Sequence, residues 1–247
     1  MTPLHNVVRR CAERRFTAQP GKCFQRHMRE TWGRAINRPT IPSLDGARVR
    51  RISNATAAKI IDRYEWLGGM ARGTVASYGL ILNGELLGAV CFGKNASRQA
   101  LRAICQDESK AICLVRGASV PWAPPNSATF LIRHACRLAA REFAWTHFLA
   151  YSDEQAGEAG HIYRACNWKS LGKAPQGPKK HFVSPDGRIR FSSYDFSKRS
   201  EWKFRALGWD GKQTRYDFLR RLGFTEHLEA VKLRWLWTDK APTVVQI

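Results

Sequence analysis

Apolar positions along the chain change their period several times, and each change marks an element. Residues 48–52 set Val49 and Ile52 in a basic run, a first strand. Ser53 or Asn54 then stands as N-cap of a helix in which Ala57, Ile60, Ile61 and Tyr64 recur at helical spacing, closed by Gly68 and Gly69. Tyr64 on that stripe reads either as a buried ring or as a functional hydroxyl at the helix end. YGLIL and ELLGAVCF flank Asn83 and Gly84, a pair that tolerates positive φ and predicts a type I′ hairpin. Residues 111–120 are apolar enough for a buried strand. Asn126 or Ser127 caps a long helix reaching about Glu142, with Phe130, Leu131, His134 and Leu138 as its inward face, which makes His134 a core histidine. Residues 148–151 form another apolar run. It ends at a polar Ser152-Asp153 exit, and a short Ala-rich helix follows with Ala159, Ile162, Tyr163 and Cys166. Asn167, able to adopt a left-handed cap, closes that helix before Trp168.

The order strand, helix, hairpin, strand, long helix, strand, short helix predicts a mixed α/β (α+β) core over residues 48–178, with a mostly antiparallel central sheet flanked by helices. Residues 1–47 are a basic arm. Its arginines recur without a clean apolar period, so it is expected to be irregular and to order on a phosphate backbone. Residues 179–247 begin with Lys179 and Lys180, continue through a second hairpin at Pro185-Asp186-Gly187 with a strand over residues 188–191, and are expected to complete the sheet and supply a basic surface.

Charge sharpens this picture. The chain of 247 residues has 41 Lys and Arg against 20 Asp and Glu, a net charge of +21. Residues 1–51 carry net +9, residues 52–178 net +5 and residues 179–247 net +7, so charge is densest on both flanks. A field of that sign attracts polyanions. In the C-terminal part Trp202, Phe204, Trp209, Tyr216, Phe218, Trp235 and Trp237 are interleaved with Lys198, Arg199, Lys203, Arg205 and further arginines. The pattern suits a nucleic-acid surface, and the same rings also suit a satellite core. Lys179, Lys180, Lys198, Arg199, Lys203 and Arg205 are the candidate phosphate contacts.

Other classes drop out. No apolar run reaches membrane-spanning length and no secretory leader is evident, so a cytoplasmic protein with no membrane partner is expected. Seven scattered cysteines, several inside apolar runs, argue against a disulfide framework. His5, Cys11, Cys23 and His27 lack the close Cys pair of a zinc site and no metal ligands are assigned; iron stays open as a cofactor, although no ligand cluster in the sequence supports it.

The segment FLAYSDEQAGEAGHIYRACNWKSLG resembles the fifth strand, polar loop and tyrosine-bearing helix of the GNAT acyltransferase fold, and YGLILNGELLGAVCFG resembles its second and third strands. With RYEWLGG and the strand containing Leu114-Val115-Arg116-Gly117, residues 48–200 resemble the Mom-type phage DNA modification proteins, a divergent GNAT-fold family. The family's His-Tyr pair stands here as Arg63-Tyr64. The resemblance implies conversion of adenine in DNA to N6-carbamoylmethyladenine as protection from restriction.

Chemistry then suggests roles. Adenine N6 is a poor nucleophile, so a carboxylate such as Asp153 would accept its proton, and Tyr163 would protonate the leaving group, the part such a tyrosine plays in ordinary GNAT enzymes. Ser152 and Tyr64 join them as catalytic candidates, and Arg116, Asn126 and Ser127 as donor-binding ones. A paired base must be extruded or single-stranded, with Trp66 or Trp122 stacking on it. In CoA-dependent relatives the loop before the long helix is Gly-rich and cradles pyrophosphate through its amides, whereas here it reads Pro121-Trp122-Ala123-Pro124-Pro125, and proline has no N–H to donate. A carbamoylmethyl group also contains a nitrogen that acetyl-CoA cannot provide and glycine can, so the expected donor is glycyl-tRNA in preference to acetyl-CoA, with tRNA as a candidate second partner. Two other readings stay open: an acetyl-CoA-dependent N-acetyltransferase of a protein or small amine, and a catalytically inactive GNAT scaffold that binds DNA.

Overall fold

The computed structural model describes residues 24–35, 38–65, 67, 69–94, 96–175, 179–187, 189–228 and 231–239. Trp66 and residues 1–23 of the basic arm lie outside them. The chain divides into two compact units, one holding residues 18–173 with the C-terminal residues from 232 on, the other residues 174–231.

The larger unit is a seven-stranded mixed sheet. Its strands are β1 (Arg48–Ile52), β2 (Thr74–Leu82), β3 (Glu85–Gly93), β4 (Ala111–Ser119), β5 (His147–Ser152), β6 (Lys169–Lys173) and a returning strand, β10 (Leu233–Thr238). They lie in the order β1-β2-β3-β4-β5-β10-β6. Only β4 and β5 run parallel, and every other pairing is antiparallel. The strands expected as the second to fifth of a GNAT core hold those places. Asn83 (φ 51°) and Gly84 (φ 79°) make the β2–β3 turn in the left-handed region that this pair favours.

Helices follow local chemistry. In α1 (Phe24–Ala35) and α2 (Asn54–Tyr64) only the second was foreseen. Ser53 caps α2 by accepting from the Thr56 N–H at 3.0 Å, and Ala57, Ile60, Ile61 and Tyr64 are buried as the spacing predicts. Part of the arm expected to be irregular is α1, because tertiary contacts hold it. Met28 enters the core, and Gln25 donates to the Tyr64 carbonyl while accepting from the Ser119 N–H at 3.2 Å. After the short α3 (Arg98–Arg102), α4 (Ser127–Phe143) buries Leu131, Ile132, Ala135, Cys136, Ala139 and Ala140. Its inward face is set by small residues that let it sit close to the sheet, so His134 is exposed rather than in the core, with its ring 4.0 Å from that of Phe130 and its Nδ1 donating to the Phe130 carbonyl at 2.8 Å. A last short helix, α5 (His161–Ala165), precedes Asn167, whose φ of 62° is the left-handed cap expected of it.

The segment expected as one C-terminal extension is divided. Residues 174–231 make their own unit, and β10 then runs back between β5 and β6. Trp235 on β10 is therefore a core residue, 2% exposed, and not part of a basic surface. The smaller unit has a three-stranded sheet, β8-β7-β9 (Arg190–Phe191, Lys180–Val183, Thr225–Leu228), with α6 (Glu201–Arg205) and α7 (Arg215–Arg221). Phe182, Phe191, Phe204, Phe218, Leu219 and Phe224 form its core, so Phe204 and Phe218 take the satellite-core alternative. Trp202 and Tyr216 stay more than 40% exposed.

Candidate active site

The β4–β5 ladder is short. Parallel pairs run from Ala111 and His147 to Leu114 and Ala150 and stop there, although β4 continues to Ser119 and β5 to Ser152. The register against β3 shows why: Phe92 faces Leu114 and Cys91 faces Arg116, so Val115 is the extra residue of a β-bulge. A bulge bends its strand and ends regular pairing. Polar residues collect where the two strands part.

On the β5 side the floor is aromatic. Trp235, paired opposite Ala150, donates its indole N–H to Ser152 Oγ at 2.9 Å. Ser152, expected among the catalytic residues, is buried and its hydroxyl receives that bond, which makes it a fixing point for the ring. Tyr163 stacks on Trp235 with centroids 5.7 Å apart and packs on Trp168 at 5.2 Å. Gly160 permits this stack: at φ 74° it passes so close that a Cβ would lie 2.0 Å from Trp235 Cζ2. Burial above all, then the charge of Glu158, pushes the Tyr163 phenol well above its ordinary pKa. The phenol therefore keeps its proton, suited to donating and unsuited to acting as a base.

Above this floor the Asp153 carbonyl accepts from the Ala156 and Glu158 N–H groups, both at 3.0 Å, and the Asp153 N–H returns a bond to Glu158 Oε2 at 3.3 Å. Lys232, the residue before β10, brings its Nζ to 3.6 Å from Asp153 Oδ2. Glu158 is pushed up to about 7. Burial is the main cause, the Asp153 N–H opposes it, Glu65 and Asp153 raise it further, and Lys232 lowers it. Such a carboxyl is shared between its two protonation states near neutrality, the condition in which a group exchanges protons with a substrate most readily. Sequence reading passed over Glu158; its only local sign is an acid set among Gly157, Ala159 and Gly160.

The facing wall is held by an arginine just beyond the bulge. Arg116 Nε donates to the Gly69 carbonyl at 2.9 Å, and its Nη1 donates to the Val115 carbonyl at 2.6 Å. Glu65, buried and accepting from the Leu67 N–H at 2.8 Å, lies 3.9 Å from Arg116 Nε. Much of this guanidinium is thus spent tying the exit of α2 to β4. The structure brings Asp153, Tyr163 and Arg116 into one neighbourhood and adds Glu65, Glu158 and Lys232.

Tyr64 belongs to a second cluster. Its ring is buried, which raises its pKa, and meets Trp122 edge-on at 6.0 Å. Trp122 donates its N–H to Glu85 at 2.9 Å, and one face of its ring is covered by Arg38 at 4.6 Å. Arg38 holds Glu85 two-pronged, at 2.9 and 2.5 Å. A base stacking on that face of Trp122 has to displace Arg38. Asn126 adopts a left-handed φ of 62° and makes no side-chain cap, while the buried Ser127 hydroxyl donates to the Pro124 carbonyl at 2.7 Å. Any anion there meets backbone amides, not that hydroxyl.

The model of the Mom protein family matches residues 46–204. This chain belongs to the Mom protein family. The match covers the parting strands, Asp153, Glu158 and Tyr163, and it ends before Lys232 and Trp235. No curated protein sequence matches. Solved structures similar to this Mom protein include the IAA acetyltransferase from Bacillus cereus, with 11% identity and a TM-score of 0.40 over 78% of this chain and 99% of that one. A GNAT family acetyltransferase from Elizabethkingia anophelis, with acetyl-CoA bound, has 7% identity and a TM-score of 0.42 over 79% and 99%.

In the smaller unit of this Mom protein several of the candidate phosphate contacts carry ion pairs. Lys180 pairs with Glu226 at 2.5 Å, Lys203 with Asp195 at 2.5 Å and Arg205 with Glu201 at 2.7 Å. Lys198 and Arg199 are exposed, and Lys179 is half-buried. Ion pairs at a solvated surface contribute little and yield to a phosphate. Among the described residues no group of three or more His, Cys, Asp and Glu side chains is placed to hold a metal ion, and no helix is long and apolar enough to cross a membrane.

Proposed function

We propose that this Mom protein transfers a glycyl group to the N6 amine of adenine in DNA, the product rearranging to N6-carbamoylmethyladenine and shielding the DNA from restriction. The observation that carries the reading is Glu158, at about 7, beside Asp153 and above a phenol that keeps its proton, in a chain of the Mom family with net charge +21. The N6 lone pair is delocalised into the ring, so attack on an ester becomes feasible only as the N6 proton leaves. Glu158 in its ionised form accepts that proton, and Asp153, next to Lys232, holds the amine's second hydrogen. Tyr163 gives its proton to the departing oxygen of the donor.

Glycine supplies both carbons and the nitrogen of the product. Once N6 carries the glycyl group, its free amine attacks adenine C6 and the C6–N6 bond breaks. The former N6 leaves as the terminal carboxamide, and no electrons are gained or lost overall. An activated glycyl ester fits the donor side better than CoA, since Pro121, Pro124 and Pro125 offer no N–H and Ser127 turns its hydroxyl away.

Purified protein given DNA and tRNA charged with ¹⁵N-glycine, without CoA, is expected to yield the modified nucleoside with label on the nitrogen bonded to C6. Product from acetyl-CoA alone, or label elsewhere, overturns the donor assignment. Asp153→Asn and Tyr163→Phe are each expected to slow modification by about a hundredfold while the protein stays folded. Near-parental rates in both would return these residues to packing roles.

A further inference from the structure

Away from the parted strands, where α4 meets the end of α5, lies a cavity of about 60 Å³ lined by Arg133, Arg137, Asn167, Trp168, Cys166 and Trp237, among others. Arg133 and Arg137 are four residues apart on α4, so both guanidiniums rise on one side of the helix. Both are exposed, and among the described residues neither has a carboxylate partner or a hydrogen bond. The charge of Arg133 is felt at the Cys166 thiol on the cavity floor. Asp239, whose charge reaches Cys136 in the cavity wall, forms no ion pair with either arginine among the described residues.

The other polar groups at the rim are also unspent. The left-handed turn at Asn167 carries its exposed side chain at the cavity, and that amide has no partner among the described residues. Trp168 is buried and, among the described residues, makes no hydrogen bond through its indole N–H. Guanidiniums and an indole N–H can only donate, and no carboxylate lines the cavity. A concave site with two positive charges, spare donors and room for one small group is complementary to a tetrahedral oxyanion.

We propose that this cavity is a phosphate anchor and that its occupant is a backbone phosphate of the nucleic-acid substrate. The Trp168 ring that lines this cavity also packs on Tyr163, with centroids 5.2 Å apart. A phosphate seated against Trp168 therefore fixes the nucleic acid one ring away from the proton donor. The choice of nucleic acid rests on the function proposed above, whereas the phosphate chemistry does not.

The test has two arms. In the first, the Trp168 indole N–H resonance, assigned with Trp168→Phe, is followed while inorganic phosphate replaces chloride at constant ionic strength. A saturable shift in the parent that disappears in Arg133→Gln/Arg137→Gln is expected, and no shift overturns the site. In the second, binding of a fluorescent DNA duplex is measured across salt concentrations. Loss of this one phosphate contact should reduce the slope of log K against log salt by about 0.9 and weaken low-salt binding by about tenfold, with Arg133→Lys/Arg137→Lys restoring most of both. A shift with phosphate but an unchanged duplex slope overturns the nucleic-acid assignment and leaves a site for another phosphate. Both arms read binding, so they stand whether or not adenine becomes modified.

Discussion

Glu158→Gln is expected to reduce DNA modification by about a hundredfold to ten-thousandfold, the usual contribution of a positioned general base, and to make the folded protein more stable at the same time. The sign follows from the raised pKa. Glu158 has an ordinary value of 4.5 and stands at about 7 in the fold, so the unfolded chain gives up this proton first. Its favourable contribution is complete below about pH 4.5, falls as pH rises, and is lost by the time pH passes 7. The full difference corresponds to about 3 kcal/mol. Gln cannot ionise, and its carbonyl oxygen can still accept from the Asp153 N–H. In urea titrations the variant should match the parent near pH 4.5 and exceed it by up to about 3 kcal/mol at pH 8. Parental activity should rise with pH towards a plateau above about pH 7, and the variant should lack that limb. A variant less stable than the parent at pH 8 would mean that Glu158 is ionised and paired rather than poised.

Gly160→Ala is expected to cost about 2–4 kcal/mol of stability, combining a left-handed backbone that an Ala resists with an overpacked contact. The new Cβ would fall 2.0 Å from Cζ2 and 2.4 Å from Cε2 of Trp235, a ring held by its stack with Tyr163 and through its N–H by Ser152. Gly84 is the control. It shares a positive φ, 79°, but a Cβ there would meet nothing within 4 Å, so Gly84→Ala should cost only about 1–2 kcal/mol. Urea midpoints of the two variants separate steric cost from backbone strain. Equal midpoints would show that Trp235 does not press on Gly160.

What could be read from the sequence was what local backbone chemistry decides. The turn at Asn83-Gly84, the Ser53 cap, the buried stripe of α2 and the left-handed Asn167 each depend on a few adjacent residues, and each stands where its residues place it. The placement of Asp153 and Tyr163 on a strand exit and a short helix was legible because the segments that carry them are contiguous. What escaped depends on distant partners. Met28 and the two bonds of Gln25 hold α1, and the four-residue spacing of Phe24, Met28 and Trp32 that marks the helix is easily lost among the arginines around it. The alternation of aromatic and basic residues near Trp235 conceals a strand whose partners, β5 and β6, precede it by a whole inserted unit. Glu158 owes its pKa to burial and to Glu65, which arrives from the far end of α2. Lys232 comes to Asp153 only because β10 returns.

Mass analysis of nucleosides from the DNA of cells expressing this protein reads the proposed product itself. With the parent protein, adenine nucleosides carrying one carbamoylmethyl group are expected, and with Glu158→Gln expressed to the same level they should be nearly absent. Unmodified adenine in cells that hold folded, DNA-bound parent protein would rule out the proposed transfer.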